Sequence, residues 1–91
     1  MKILWSPEAA TDFAGIVDYI RQQNPSAADR VARAIFESVT SLESFADRGR
    51  TGRVKGSREL ILPSLPFVVV YRVERHVVEI VRVLHGSQRW P

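Results

Sequence analysis

The chain has 91 residues, enough for one domain with a modest core and too few for two, so we expect a single domain over residues 1–91. Hydrophobic residues make up 45% and charged residues 25% of the chain, as in ordinary globular proteins, and the absence of cysteine excludes disulfides and thiolate metal sites. The sequence turns polar at Ser6, and its longest apolar run, residues 67–71, is too short to span a bilayer, which predicts a cytoplasmic protein without a membrane partner.

The first elements are a short strand and a helix. Residues 3–5 predict the strand, and Ser6 followed by Pro7 and Glu8 is typical of a helix start, with Ser6 as the N-cap. Apolar residues then recur at spacings of three and four, which predicts one buried helical face: Ala9, Phe13, Ile16, Val17 and Ile20. The helix should end near residues 22–23, because Asn24-Pro25 disfavours its continuation.

A second helix is predicted directly afterwards, with Ser26 as its cap. Its apolar residues keep the helical spacing for about five turns: Ala28, Val31, Ala32, Ile35, Val39, Leu42 and Phe45. Two amphipathic helices joined by a short turn form a helical hairpin, and each apolar face needs a surface to cover.

The rest of the chain predicts that surface. Residues 46–57 form a loop rich in glycine and basic residues, and strands follow at 58–62, 67–73 and 77–84, separated by turns at 63–66 and 74–76. The order β-α-α-β-β-β, with the last three strands as an antiparallel meander, predicts a small α+β domain in which the helical hairpin packs on an antiparallel sheet.

The charges are unevenly distributed, although the formal net charge is only +3. Residues 1–47 contain four basic and seven acidic side chains, whereas residues 48–91 contain nine basic and three acidic ones. A basic half favours an anionic partner, and arginine forks among glycines suit phosphate or carboxylate groups. The alternative is a solvated basic surface. The basic candidates are Arg48, Arg50, Arg53, Lys55, Arg58, Arg82 and Arg89.

Two further candidates lie at the end of the last strand. His85 can act as a general acid or base, or it can be a strand-end side chain bonded to the backbone. Trp90 can stack on a partner, or it can pack back against the sheet. Two histidines without cysteine argue against a metal site, and no phosphate-binding glycine motif is present, so we expect neither a metal nor a cofactor.

Six motifs occur in the same order in one known group of proteins: Trp5-Ser6-Pro7-Glu8-Ala9, Tyr19-Ile20 with Asn24-Pro25, Gly49-Arg50-Thr51-Gly52-Arg53, Arg58-Glu59-Leu60, Leu65-Pro66-Phe67-Val68-Val69-Val70-Tyr71-Arg72, and Leu84-His85-Gly86 with Trp90-Pro91. Over essentially its whole length the chain resembles the RelE/ParE superfamily of bacterial toxins. The resemblance implies the toxin of a type II toxin–antitoxin module, with a cognate antitoxin as partner in a toxin–antitoxin hetero-oligomer.

The resemblance implies one of two targets. ParE-like members bind DNA gyrase and trap it without being enzymes, whereas RelE-like members cut mRNA in the ribosome with basic residues. RelE-type nucleases typically carry an arginine just after the aromatic residue that opens the central strand, where this chain has Val68. They usually carry lysines on the preceding strand, and residues 58–62 have none. The ParE side is therefore favoured, with RelE-like cleavage as the alternative and a member that only binds an antitoxin as a third option.

The candidate residues differ between the two mechanisms. If the protein is a nuclease, the catalytic set is His85, Arg82, Arg58 and Lys55. If it binds its target without catalysis, the contact residues are Arg50, Arg53, Lys55, Arg58, Arg82, His85, Arg89 and Trp90.

Overall fold

The computed structural model describes residues 1–91 as two helices packed on one five-stranded sheet. The elements in chain order are β1 (Lys2–Trp5), α1 (Pro7–Gln23), α2 (Pro25–Ser41), β2 (Arg50–Thr51), β3 (Ser57–Ile61), β4 (Phe67–Glu74) and β5 (Val77–His85). The predicted α+β fold, with a helical hairpin on a sheet, is confirmed. Neither helix combines the length and the apolar character needed to cross a membrane.

The sheet has the strand order β1-β5-β4-β3-β2. Strands β3, β4 and β5 form the predicted antiparallel meander. The prediction of an antiparallel sheet throughout was wrong at its edge, because β1 pairs parallel with β5 and makes the sheet mixed. The predicted loop at 46–57 also contains a short strand, β2, which pairs with β3. Two residues are too few for an alternating pattern to reveal a strand.

The start of α1 follows the predicted cap. The Ser6 hydroxyl accepts the backbone N–H of Ala9 at 3.0 Å and donates to the backbone oxygen of Val81 at 2.9 Å. Pro7 occupies the first helical position, where its missing N–H has no cost. One side chain therefore both begins the helix and fastens it to β5.

The start and the end of α2 differ from the prediction. Asn24, not Ser26, is the N-cap, and its side chain accepts the N–H of Ala27 at 3.2 Å. The proline that follows holds Asn24 in an extended conformation, which is the conformation of an N-cap. The helix ends at Ser41, so Phe45 lies beyond it and is 62% exposed rather than part of the apolar face.

The core fills the space between the helices and one face of the sheet. Its twelve buried side chains are Ala9, Ile35, Val39, Leu42, Leu60, Leu62, Phe67, Val69, Tyr71, Val78, Ile80 and Val83. Because side chains alternate along a strand, Val68 and Val70 point to the opposite face, which the helices leave open. That open face carries the candidate site.

A clamp around Tyr71 holds the chain between α2 and β2 against the sheet. The Tyr71 hydroxyl accepts the N–H of Gly49 at 2.8 Å and donates to the backbone oxygen of Ala46 at 2.8 Å. Burial raises the pKa of the Tyr71 phenol above its ordinary value of 10.0, so the hydroxyl keeps the proton that it donates. A Cβ at Gly49 would lie 2.7 Å from the Tyr71 ring, so this approach requires glycine. The clamp fixes the position of the next residue, Arg50.

Candidate functional site

A polar pocket of about 400 Å³ lies on the open face of the sheet, beside the end of β5. It is lined by Arg50, Arg53, Glu59, Val68, Val70, Leu84, His85, Gly86, Ser87, Gln88, Arg89 and Trp90. Five of the predicted site residues therefore meet there: Arg50, Arg53, His85, Arg89 and Trp90. They come from two separate stretches of the chain, the loop before β3 and the end of β5, which the antiparallel meander brings together.

The floor of the pocket is apolar. Val68 and Val70 of β4 and Leu84 of β5 form it, and Val68 pairs directly with Leu84 in the sheet. Val70 is 1% exposed although it lies on the face opposite the helices. Leu84 is 5% exposed and only Val68 keeps a partly exposed side chain, so the floor is apolar and carries no charged group.

The rim of the pocket carries the charges. The Arg50 guanidinium donates to Glu59 Oε1 at 3.1 Å from Nε and 2.8 Å from Nη2, and the backbone N–H of Arg53 donates to Glu59 Oε2 at 3.2 Å. Glu59 thus neutralises Arg50 and orders the backbone at Arg53. The guanidinium groups of Arg53 and Arg89 form no ion pair or hydrogen bond within the chain, so two cations remain available to a partner.

The end of the chain turns back over the sheet. Gly86 donates its N–H to the backbone oxygen of Pro66 at 2.6 Å, and the N–H of Gln88 returns to the oxygen of His85 at 2.9 Å. The Trp90 ring then lies 5.9 Å from the guanidinium carbon of Arg72, in cation–π contact. Trp90 packs against the sheet, the second of its two predicted alternatives, and still lines the pocket with part of its surface.

The four residues of the predicted nuclease set are not gathered in one site. His85 lines the pocket, but Arg82 turns toward α1, where its guanidinium bonds to Asp12 at 2.7 and 3.0 Å. This contact raises the pKa of Arg82 above its ordinary value. A bulge in β5 redirects the strand here, since Val70 pairs with Arg82 and the next residue, Tyr71, with Ile80.

The other basic candidates serve the loop itself. Arg58 donates to the backbone oxygens of Gly49 at 2.7 Å and Asp47 at 3.3 Å, which extends the Tyr71 clamp. Arg48 bonds to the Ser41 hydroxyl at 2.6 Å at the end of α2. Lys55 is exposed in a turn outside the pocket. These three side chains are part of the loop structure or point into solvent, away from the pocket.

The sequence interpretation missed Glu59, Ser87 and Gln88 as pocket residues. A signal for Glu59 existed, because it is the only acidic residue between Asp47 and Glu74, within the most basic stretch of the chain. A lone carboxylate among arginines predicts an ion pair. Ser87 and Gln88 carry no comparable signal, since their place depends on how the last residues fold back.

An apolar groove of about 510 Å³ lies on the other side of His85, between the helices and the turn that precedes β4. Its lining residues are Gly15, Ile16, Tyr19, Ile20, Val31, Leu65, Pro66, Phe67 and His85. Tyr19 is 64% exposed at its edge, so a large aromatic surface is available to a partner. His85 is the only residue that lines both this groove and the polar pocket.

The ion pair at the rim predicts a pH dependence of stability. The Arg50 guanidinium lowers the pKa of the Glu59 carboxyl below its ordinary value of 4.5. The stability that Glu59 contributes is therefore fully present above pH 4.5 and is lost as the pH falls through the lower pKa of the folded state. We expect Glu59→Gln to lower the free energy of unfolding by about 1 kcal/mol at neutral pH, since part of the hydrogen bonding survives.

Urea unfolding of the wild type and Glu59→Gln between neutral and strongly acidic pH measures the difference in their free energies of unfolding. It should shrink steadily below pH 4.5, where the wild-type carboxyl becomes protonated. Glu79→Gln, at an exposed position of β5, is the matched control and should show no such trend. A difference that stays constant down to acidic pH would contradict the assigned role of the carboxylate.

Comparison with known proteins agrees with this arrangement. The model of the ParE toxin family, the toxin of the type II toxin–antitoxin system parDE, matches residues 3–90. Y4kP of Sinorhizobium fredii, a candidate toxin by its name, is 39% identical over 99% of this chain and 93% of its own length. Toxin RelE2 of Caulobacter vibrioides is 32% identical over 96% of this chain and 97% of its own.

A solved structure agrees with the fold as well. A chain from the chromosomal ParDE toxin–antitoxin system of P. aeruginosa superimposes with a TM-score of 0.87 at 31% identity. The match covers 93% of this chain and 95% of the other. The family match and these relatives span nearly the whole molecule, including both walls of the pocket. The chain therefore belongs to the ParE toxin family of type II toxin–antitoxin systems.

Proposed function

We propose that this toxin inhibits DNA gyrase by binding it without catalysis, and that a cognate antitoxin neutralises it. The observation that carries the proposal is the apolar floor of the polar pocket. Val68 stands in this floor where RelE-type nucleases typically carry an arginine, and a phosphodiester-cleaving site needs cations to stabilise developing charge. Arg50, which lines the same pocket, is neutralised by Glu59.

The remaining pocket chemistry supports contact with a protein. Trp90 and Arg89 belong to the residue types that dominate binding energy at protein interfaces, and an apolar floor beside them favours the burial of a partner side chain. Arg53 and Arg89 add positive charge that would attract an acidic segment. Both proposed partners place the toxin in the cytoplasm.

The apolar groove supports a separate site for the antitoxin. A type II module supplies a protein partner for the toxin, and an amphipathic segment buries its apolar side in such a groove. Tyr19 at the edge and Phe67 at the base of the groove would provide aromatic contacts. Toxin and antitoxin would then form a hetero-oligomer in which the antitoxin binds the apolar groove, next to the polar pocket that contacts the target.

A supercoiling assay tests the proposed function. Purified folded toxin should inhibit gyrase, and Trp90→Ala should require about 30-fold more protein for the same inhibition, as for a truncated hot-spot tryptophan. Phe36→Ala is the control, because Phe36 is 56% exposed on α2 away from the pocket, and it should inhibit like the wild type. Undiminished supercoiling at an excess of folded wild-type toxin would overturn the proposal.

One observation favours a second candidate, ribosome-dependent mRNA cleavage. His85 lines the pocket together with Arg53 and Arg89, so a potential general base lies among cations. Relatives in this size range also include a protein named Toxin RelE2. Adding toxin to a translating extract separates the two candidates, because a nuclease leaves cut mRNA and a gyrase inhibitor leaves the mRNA intact.

A further inference from the structure

His85 lies at the boundary between the polar pocket and the apolar groove. Its ring meets the ring of Phe67, a groove residue, edge to face with 6.0 Å between the centroids. On its other side, the chain from Gly86 to Trp90 forms a wall of the polar pocket. No other residue lines both cavities. A ligand that moves the His85 side chain from the apolar groove would therefore also change the wall of the polar pocket.

The same residue organises the turn that follows it. The backbone N–H of His85 donates to Gln88 Oε1 at 2.8 Å. Its ring Nδ1 accepts the backbone N–H of Ser87 at 3.2 Å and lies 2.9 Å from the Ser87 hydroxyl. Because a backbone N–H can only donate, this bond uses Nδ1 as the acceptor, which is the arrangement of the tautomer with its proton on Nε2.

The residues beyond this turn have few other attachments. No hydrogen bond holds residues 89–91, and Trp90 is fixed by its contact with Arg72 and by packing over the sheet. The direction in which the turn sends the chain therefore decides whether Arg89 and Trp90 reach the pocket. The bonds to Nδ1 contribute to that direction together with the backbone bonds of the same turn.

We propose that His85 is a positioning residue, which holds the C-terminal segment over the sheet and transmits occupancy of the apolar groove to the polar pocket. An antitoxin segment in the groove contacts the ring from the side of Phe67. The ring then shifts relative to Ser87, and Arg89 and Trp90 lose their place in the pocket. The positioning role stands on the hydrogen bonds alone, whereas the transmission rests on the proposed antitoxin site.

Trp90 itself can report the position of the segment. In a Trp5→Phe background it is the only tryptophan, and acrylamide quenching of its fluorescence measures its exposure without any gyrase or ribosome. His85→Asn should keep the segment docked, because an asparagine side chain bonds to the backbone N–H two residues on. His85→Gln and His85→Ala should increase the undocked population about fivefold, the effect of one lost hydrogen bond.

The three variants separate positioning from general structural damage. His85 is exposed, so each variant should fold, which circular dichroism and thermal unfolding verify. Equal quenching in the wild type, His85→Gln and His85→Ala would overturn the positioning role. The role would also be overturned if Trp90 were as exposed in His85→Asn as in His85→Ala. That result would show that a hydrogen-bond acceptor in the side chain of residue 85 does not matter.

Adding purified cognate antitoxin tests the transmission. At antitoxin concentrations that calorimetry shows to saturate both proteins, binding should raise the quenching of Trp90 in the wild type and leave it unchanged in His85→Asn, which lacks the ring. An equal change in both proteins would mean that the antitoxin acts on Trp90 directly and would overturn the transmission. Failure of the toxin to inhibit gyrase leaves these fluorescence results unaffected, so the two proposals fail separately.

Discussion

Replacing Tyr71 by phenylalanine is expected to lower the free energy of unfolding by about 3 kcal/mol, because two buried hydrogen bonds disappear and their backbone partners stay unsatisfied. Those partners are the N–H of Gly49 and the backbone oxygen of Ala46, both 2.8 Å from the hydroxyl. Tyr71 has no exposed surface, so water cannot replace the lost group without repacking the core. The change removes one oxygen atom and leaves the ring in place.

Urea unfolding of the wild type and the variant measures this loss. Tyr19→Phe is the matched control, since Tyr19 is 64% exposed and its change should stay within about 0.5 kcal/mol. Tyr71→Phe should also loosen the loop, so that the amide hydrogens of Gly49 and Arg50 exchange faster than in the wild type. The exchange rates in the helices should rise less. A Tyr71→Phe protein as stable as the Tyr19→Phe protein would show that the clamp does not hold the loop.

The second large effect is expected at Asp12, the residue that joins α1 to β5. Its Oδ2 accepts from Arg82 Nε at 2.7 Å and from the backbone N–H of Val83 at 3.0 Å, and its Oδ1 accepts from Arg82 Nη2 at 3.0 Å. Asp12→Ala should lower the free energy of unfolding by about 2–3 kcal/mol, as for charge-assisted bonds in a partly buried pair. It also leaves the Arg82 cation without its partner.

Asp18→Ala provides the control for Asp12→Ala on the same helix. Asp18 pairs with Arg21 at 3.6 Å, and both side chains are more than half exposed, so its loss should cost less than about 0.5 kcal/mol. Thermal unfolding of both variants gives the comparison. Similar losses for the two aspartates would mean that the link between α1 and the bulge of β5 contributes nothing beyond a surface ion pair.

The proposed function makes the floor of the pocket the part of the site that decides between the two candidate mechanisms. Its walls are built by the ends of β5 and by the loop before β3, whereas its floor depends on the two outward side chains of the central strand, Val68 and Val70. A floor of valines favours burial of a protein side chain, and a floor of cations would favour a phosphodiester. Under the proposed function, we therefore expect the identity of these side chains to decide the target while the core beneath them stays the same.

Much of the fold was predictable because its signals are local. The N-cap at Ser6, the proline after it and the apolar spacing of α1 act within one or two helical turns, so the sequence places the helix correctly. The meander follows from apolar runs separated by short polar turns. The cap of α2 was misplaced by two residues, since both Asn24 and Ser26 are good caps and the extended backbone before Pro25 decided between them.

The site was predictable only in part. The sequence identified Arg50, Arg53, His85, Arg89 and Trp90, and the structure brings them into one pocket. It also suggested Arg58 and Arg82, whose guanidinium groups are occupied by backbone oxygens and by Asp12. Residue type shows that a side chain can bind an anion, but not whether another part of the chain already binds it.

Local chemistry along the chain determines the helices, the meander and the basic character of the second half, because capping, periodicity and charge act between near neighbours. Tertiary structure alone decides the parallel direction of β1, the bulge that turns Arg82 toward Asp12 and the return of the last residues over the open face. Each of these depends on contacts between residues far apart in sequence. Such contacts form only when the whole sheet has closed, so no short window of the sequence contains them.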